Sequence, residues 1–251
     1  MKNFLIILIG LALFMTSCNK EDAVVNTDLK IVFTLNYDGK PLVFNQNQAY
    51  ADKFIRMTRF NFFMTNLKLR SGQDSVKLAD LSFVDFTLSN VNEGGAKAGL
   101  ALTVPSIKSG KYTSLEFGVG LPKDLNATKP IDYPSSNPLS DVTYYWTAWG
   151  GYIFSKMEGK FDSLATGLFS EAFTFHTGLD DNYKIVKLVS PINIEGSKTE
   201  NVLNVSLDVK KLFVMNGQQI DLKLVNQAHG PSNEEVIRAL AQNYQAAFKL
   251  E

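Results

Sequence analysis

Cysteine is nearly absent: 251 residues contain one, Cys18. The chain therefore has no partner for an internal disulfide and, beyond Cys18, no thiolate to serve as metal ligand or nucleophile. Histidine is almost as scarce, with His176 and His229 as its only two. A Ser-His-Asp triad would need one of them as base, and no serine sits in a Gly-x-Ser-x-Gly elbow. An excess of charge is missing too: 25 Lys+Arg balance 25 Asp+Glu, and no basic run exceeds Lys210-Lys211. Nucleic acid and anionic membrane surfaces are excluded as main partners, because both need clustered cations to displace counterions. There is no phosphate loop, no His-Glu-x-x-His helix and no EF-hand loop. Gly118-Val119-Gly120-Leu121-Pro122 lacks the third glycine and following helix of a dinucleotide turn, and Asp180-Asp181 reads as a solvated turn. The expectation is a protein that is not an enzyme. What is present is apolar surface, with 18 Phe, 9 Tyr and 2 Trp in a chain that is 45% hydrophobic. That excludes a solvated, disordered tail and predicts one globular domain with a sizeable core.

The first segment reads as targeting. Lys2 precedes an apolar run, Phe4 to Met15, broken only by Gly10. This is the charged and hydrophobic layout of a secretory signal, too short for a comfortable transmembrane helix. It ends in Met15-Thr16-Ser17-Cys18, similar to the lipobox of bacterial lipoproteins, the alternative being an ordinary secretory signal with an incidental cysteine. The expected division is a signal peptide over 1–17, lipidated Cys18 and a tether over 18–28, and one domain over 29–251. Acyl chains on Cys18 contribute about 0.8 kcal/mol per buried methylene, so the lipid is the expected membrane partner. Asn19-Lys20-Glu21-Asp22 is similar to the short acidic signals that send some Bacteroidetes lipoproteins to the cell surface. The expected location is the outer membrane, facing either the periplasm or the exterior.

The body reads as strands. Ile31, Phe33, Leu35 and Tyr37 alternate with polar neighbours, as do Leu115, Phe117, Val119 and Leu121, and again Leu203, Val205, Leu207 and Val209. Turn signals such as Asp38-Gly39-Lys40-Pro41, Glu93-Gly94-Gly95 and Glu195-Gly196-Ser197 separate them. Many short strands without alternating helices predict an all-β fold, an antiparallel β-sandwich of Greek-key or immunoglobulin-like type. One short C-terminal helix is predicted from a Ser232/Glu235 capping box followed by Val236, Leu240, Tyr244 and Phe248. Asn47 to Arg56 is expected as helix or loop. Leu121 to Asp141, with four of the eight prolines, is expected as a long ordered loop.

Two histidines and two tryptophans carry the chemistry. In Phe173-Thr174-Phe175-His176 strand parity turns His176 away from the phenylalanine face. His229 lies just before the predicted helix, where the positive end of the helix dipole favours a neutral ring, the form a metal takes. From composition alone each reads first as an ordinary hydrogen-bonded or loop histidine, and 53 residues between them make no local metal motif. Trp146 and Trp149 face opposite sides by strand parity unless Gly150-Gly151 introduces a bulge. One is then expected in the core and the other free to cover a site.

Phe60-Asn61-Phe62-Phe63-Met64-Thr65-Asn66-Leu67-Lys68-Leu69, Phe83-Val84-Asp85-Phe86, Tyr112 to Pro122, Trp146-Thr147-Ala148-Trp149-Gly150-Gly151-Tyr152-Ile153-Phe154, Glu158-Gly159 and Phe175-His176-Thr177-Gly178 follow one another in order. This ordered set resembles the MbnP-like copper-binding lipoprotein family over roughly residues 30 to 250. The resemblance implies a bacterial envelope lipoprotein whose single all-β domain holds one copper ion, with His176 and His229 as ligands. It further implies that a tryptophan, Trp146 or Trp149, is a position for oxidation to kynurenine by a di-haem peroxidase-like partner. Cu(I) accepts a two-coordinate imidazole pair, whereas Cu(II) wants further nitrogen or oxygen ligands, for which Glu158, Asp180 or water are the candidates. Two competing readings stay open. One is a metal-free surface binding module stacking sugar rings on Tyr144, Trp146 or Trp149, and the other is a structural interaction subunit.

Overall fold

The computed structural model describes residues 25–251, so the expected signal peptide and Cys18 lie outside the described residues. In chain order the strands are β1 (Asn26–Tyr37), β2 (Lys40–Pro41), β3 (Gln48–Tyr50), β4 (Lys53–Ser71), β5 (Asp74–Asp85), β6 (Leu100–Lys108), β7 (Gly110–Val119) and β8 (Tyr145–Trp146). They continue with β9 (Gly151–Asp162), β10 (Glu171–Gly178), β11 (Lys184–Ile194), β12 (Glu200–Asp208), β13 (Val214–Met215), β14 (Gln218–Gln219), β15 (Gln227–Ala228) and β16 (Phe248–Leu250). Among the described residues three α-helices accompany them: α1 (Glu93–Ala98), α2 (Lys123–Asn126) and α3 (Glu234–Ala247). Among the described residues no helix is long and apolar enough to cross a membrane.

Two open sheets face each other. One is five-stranded, β16-β12-β1-β2 with β6 also on β1, and the other nine-stranded, β11-β7-β4-β9-β10-β15 with β3 and β5 on β4 and β8 on β9. Alternation along β1 buries Leu29, Ile31, Phe33, Leu35 and Tyr37, and the matching inner residues of β7 meet them, Phe33 packing edge-on to Phe117 at 6.1 Å. Tyr244 from α3 and Phe248 from β16 close this core against Phe62. Fully burying such a ring contributes roughly 1.5–3 kcal/mol.

The all-β sandwich expected from the sequence is the observed fold, with three local differences. First, β1 pairs in parallel with β12, and β15 in parallel with β10, inside otherwise antiparallel sheets. Second, Asn47 to Arg56 forms the β3–β4 hairpin, closed by Ala51 at φ 52. Third, α3 starts after Asn233 without a side-chain cap; Ser232 donates to Asn233 rather than forming a capping box. Glu234 and Glu235 occupy its first turn instead, where carboxylates favour the helix dipole.

The outer face of the nine-stranded sheet is also covered. Phe63, Leu121, Leu139, Tyr144, Tyr152, Ile153 and Phe154 form a second buried cluster under the proline-rich segment. That segment is ordered, as expected: it holds α2 and 3-10 turns at Pro130–Asp132 and Pro138–Ser140. Asn126 accepts from the Tyr152 amide at 2.8 Å, and the Tyr152 hydroxyl donates to the Leu139 carbonyl at 3.0 Å. Gly151 permits this junction, because a Cβ there would lie 2.6 Å from the Asn126 side chain.

Elsewhere on that face Glu116 is buried beneath three cations. Arg70 lies 3.0 Å, Lys187 3.2 Å and Lys68 3.7 Å from its carboxylate. Burial alone would raise the Glu116 carboxyl, but the Arg70 and Lys187 hydrogen bonds and charges outweigh it and hold the group below the usual carboxylate range. A carboxyl lowered in the folded state adds stability above its unfolded value, about 4.3, and loses it as pH falls through the folded value. Glu116→Gln is therefore expected to cost about 1–3 kcal/mol at pH 7 and to flatten the stability profile below about pH 4.3; urea denaturation from pH 3 to 7 checks both.

Candidate functional site

His176 is on β10, on the face opposite Phe173 and Phe175, and is nevertheless only 8% exposed. Its Nε2 lies 2.9 Å from Glu158 on the neighbouring strand β9. The other Glu158 oxygen lies 3.3 Å from the Arg59 guanidinium of β4. A carboxylate only accepts, so Nε2 carries the proton and Nδ1 is left with a bare lone pair. Burial pushes the His176 imidazole below its ordinary value, with the Glu158 hydrogen bond and charge opposing and Lys156 and His229 adding to the depression. The His176 hydrogen bond, with Arg59 behind it, holds the Glu158 carboxyl low.

His229 reaches the same place through backbone pairing. Thr174 and Phe175 align in parallel with Gln227 and Ala228, and the Thr174 amide donates to the Asn226 carbonyl at 2.8 Å. The next residues along each strand are His176 and His229, whose rings stand 5.9 Å apart at 45°. A 3-10 turn at Pro231–Asn233 separates His229 from α3, so strand pairing rather than the helix end sets its position. The two candidate histidines, far apart in sequence, are adjacent in the fold.

The tryptophans cover them. Trp146 lies 5.3 Å from the His229 ring at 30° and 6.1 Å from His176 at 67°. Trp149 stacks on Trp146 at 5.4 Å and 23°. Strand parity, which sends them to opposite faces, fails here because β8 ends at Trp146. The chain then turns, with the Trp149 and Gly150 amides both donating to the Trp146 carbonyl and Gly150 at φ 66. Neither tryptophan is fully buried in the core; both are half-exposed. Gly178, just beyond His176, makes room for the pair, since a Cβ there would overlap the Trp149 ring.

Three nitrogens in this cluster are buried without a hydrogen-bond partner: Nδ1 of His176, Nδ1 of His229 and Nε1 of Trp149. The first two are donor atoms of the kind a borderline metal takes. Other sequence candidates are otherwise engaged. Glu158 serves His176 and Arg59, an outer partner that fixes the ring; Asp180 accepts from Asn126 at 2.8 Å. Among the described residues no group of three or more His, Cys, Asp or Glu is placed to hold a metal. Tyr144, a candidate sugar platform, is 8% exposed and packs into the outer cluster. Sequence reasoning missed Arg59 and Lys156, which only the strand register brings beside Glu158 and His176.

The fold and site define a β-sandwich protein carrying a histidine pair, His176 buried and His229 half-buried, against a stacked tryptophan pair. The chain belongs to the MbnP family, whose sequence profile matches residues 26–235. Among solved structures it is similar to MbnP from Methylosinus trichosporium, with a TM-score of 0.54, 16% identity, and 82% of each chain covered. No curated protein matches the sequence.

The Trp146–Trp149 stack gives the site an optical signature. Gly178→Ala is expected to displace Trp149, reducing the near-UV circular dichroism of the coupled indoles while far-UV strand signal persists; an unchanged near-UV spectrum would show that the ring tolerates the methyl.

Proposed function

We propose that this protein binds one copper ion through Nδ1 of His176 and Nδ1 of His229, for copper handling or storage at the bacterial envelope. The observation that carries the reading is the pair of buried, unpartnered imidazole nitrogens on rings 5.9 Å apart. Imidazole suits copper, and copper(II) heads the divalent first-row affinity order for a given nitrogen site. Membership of the MbnP family and the Glu158–His176 orientation support the same reading. Coordination would satisfy both orphan nitrogens at once and tie β15 to β10. In this reading acylated Cys18 anchors the protein to the outer membrane, and Trp146, against both imidazoles, is the residue a di-haem peroxidase-like partner would convert to kynurenine. The sugar-platform alternative loses ground, because Tyr144 is buried and the indole faces lie against each other and His229.

Copper titration of the chain begun at Asn19 is expected to give one ion per molecule. His176→Ala and His229→Ala are each expected to abolish stoichiometric uptake with the melting transition retained. Glu158→Gln is expected to weaken affinity by about 10–100-fold, through loss of the charged outer partner. Unchanged uptake in both histidine variants would sink the assignment.

A further inference from the structure

A cavity of about 190 Å³ opens between the β3–β4 hairpin, the end of β9 and the segment after β14, and none of its lining residues belongs to the histidine–tryptophan site. Ile55 and Phe161, paired across β4 and β9, form one wall. Phe161 stands five residues along β9 from Lys156, the register partner of His176, a separation of roughly 17 Å. Tyr50, Ile220 and Leu222 supply the rest of the apolar lining, and all five side chains are at most 5% exposed. The Tyr50 hydroxyl donates to the Ile220 carbonyl at 2.6 Å, and its ring packs edge-on to Phe213. The Gln219 amide oxygen accepts from the Ala51 amide at 3.1 Å and holds the hairpin turn. The wall is thus fixed by its own bonds. The rest of the lining is charged: Asp52, Lys53, Asp221 and Lys223. Asp52 and Lys53 neutralise each other at 2.8 Å. Lys223 acts on Asp52 and Asp221 on Lys53 through their charges, yet both are exposed, and among the described residues neither has an ion-pair partner within 4.0 Å. The mouth therefore carries one unpaired anion and one unpaired cation beside an apolar floor.

We propose that this cavity binds a free apolar α-amino acid, its side chain inside against Ile55, Phe161 and Leu222, its carboxylate toward Lys223 and its ammonium toward Asp221. An apolar cavity of about 150 Å³ admits benzene, so this one has room for the side chain of leucine or phenylalanine. The charges at the mouth decide the head group. A ligand with a carboxylate alone leaves Asp221 unanswered and adds to the negative charge there, and an amine alone does the same to Lys223; a zwitterion meets one group of each sign. A peptide presents only one of the two charges at either end, so the arrangement selects the free amino acid. Because the wall is already bonded in place, binding orders little of the protein.

The test titrates L-phenylalanine and L-leucine into the chain begun at Asn19, without metal, and follows the methyl NMR signals of Ile55, Ile220 and Leu222. Saturable shifts of these methyls are expected for at least one of the two, with no comparable binding of glycine, which has no side chain to fill the cavity. Phenethylamine, lacking the carboxylate, and 3-phenylpropionate, lacking the ammonium, are each expected to bind about fivefold more weakly than L-phenylalanine. Lys223→Gln is expected to weaken L-phenylalanine about fivefold without weakening phenethylamine, and Asp221→Asn to weaken it about fivefold without weakening 3-phenylpropionate. Both positions are exposed, and asparagine keeps an acceptor for the Lys223 amide that Asp221 now caps at 2.9 Å. No shift with either amino acid up to roughly 10 mM overturns the site, as does glycine binding as tightly as L-phenylalanine. Wild-type affinity for L-phenylalanine in both variants, or an equal loss of all three phenyl probes, overturns the assignment of the head group.

Discussion

The parallel pairing of Gln227–Ala228 with Thr174–Phe175 is the interaction on which the site depends. It is only two residues long, yet it closes one edge of the nine-stranded sheet and sets His229 beside His176. Parallel neighbours advance in step, so residues that follow a paired position stay side by side; an antiparallel partner would have carried the second histidine away along the edge. Ala228 is fully buried, and α3 packs its Val236, Ile237 and Leu240 side into the same core. The short strand is therefore held from its C-terminal side by a helix whose own stability comes from burial rather than capping.

The second requirement is a cover, and the proline-rich segment supplies it. Leu139 and Tyr144 are anchored in the outer cluster, and the Asn126–Tyr152 hydrogen bond fixes the point where the segment rejoins the sheet. The turn after Trp146 then stacks Trp149 on Trp146, whose indole lies against both imidazoles. Lys156 belongs to the same construction, since its bond to the Thr143 carbonyl grips the segment three residues before Trp146. One side chain thus tethers the cover to β9.

The strands were legible in the sequence where the inward apolar residues recur with a period of two, as at Leu29 to Tyr37 of β1 and at Leu115, Phe117 and Val119 of β7. The parallel pairing of β1 with β12 was not, because alternation reports which face is buried and is silent about which strand lies alongside. His176 and His229 were found by their scarcity and by family resemblance, but their proximity came from register alone. Strand parity does not extend to Trp149, because β8 ends at Trp146 and the chain turns over Trp146 to Gly150, with Gly150 at φ 66. Ser232 looked like a capping residue because the Ser-x-x-Glu pattern is local, whereas the 3-10 turn at Pro231–Asn233 that displaces the helix start depends on where His229 must sit. Arg59 and Lys156 had no sequence signal; charged residues in a strand ordinarily face water.

Seven buried side-chain atoms among the described residues lack a hydrogen-bond partner, and three of them, on His176, His229 and Trp149, fall in this one cluster. Each such atom costs about 1–3 kcal/mol of uncompensated desolvation, so their concentration is a local deficit that the surrounding packing has to offset. The packing does so with rigid elements: Phe173 and Phe175 beneath β10 are fully buried, and the indoles above stack on each other. A flexible pocket would relax and let the imidazoles find carbonyls or water. Here the packing holds the unpartnered nitrogens away from protein partners, with Glu158 fixing the tautomer of His176, so the deficit is carried by the rigidity of the strands and the stacked rings around it.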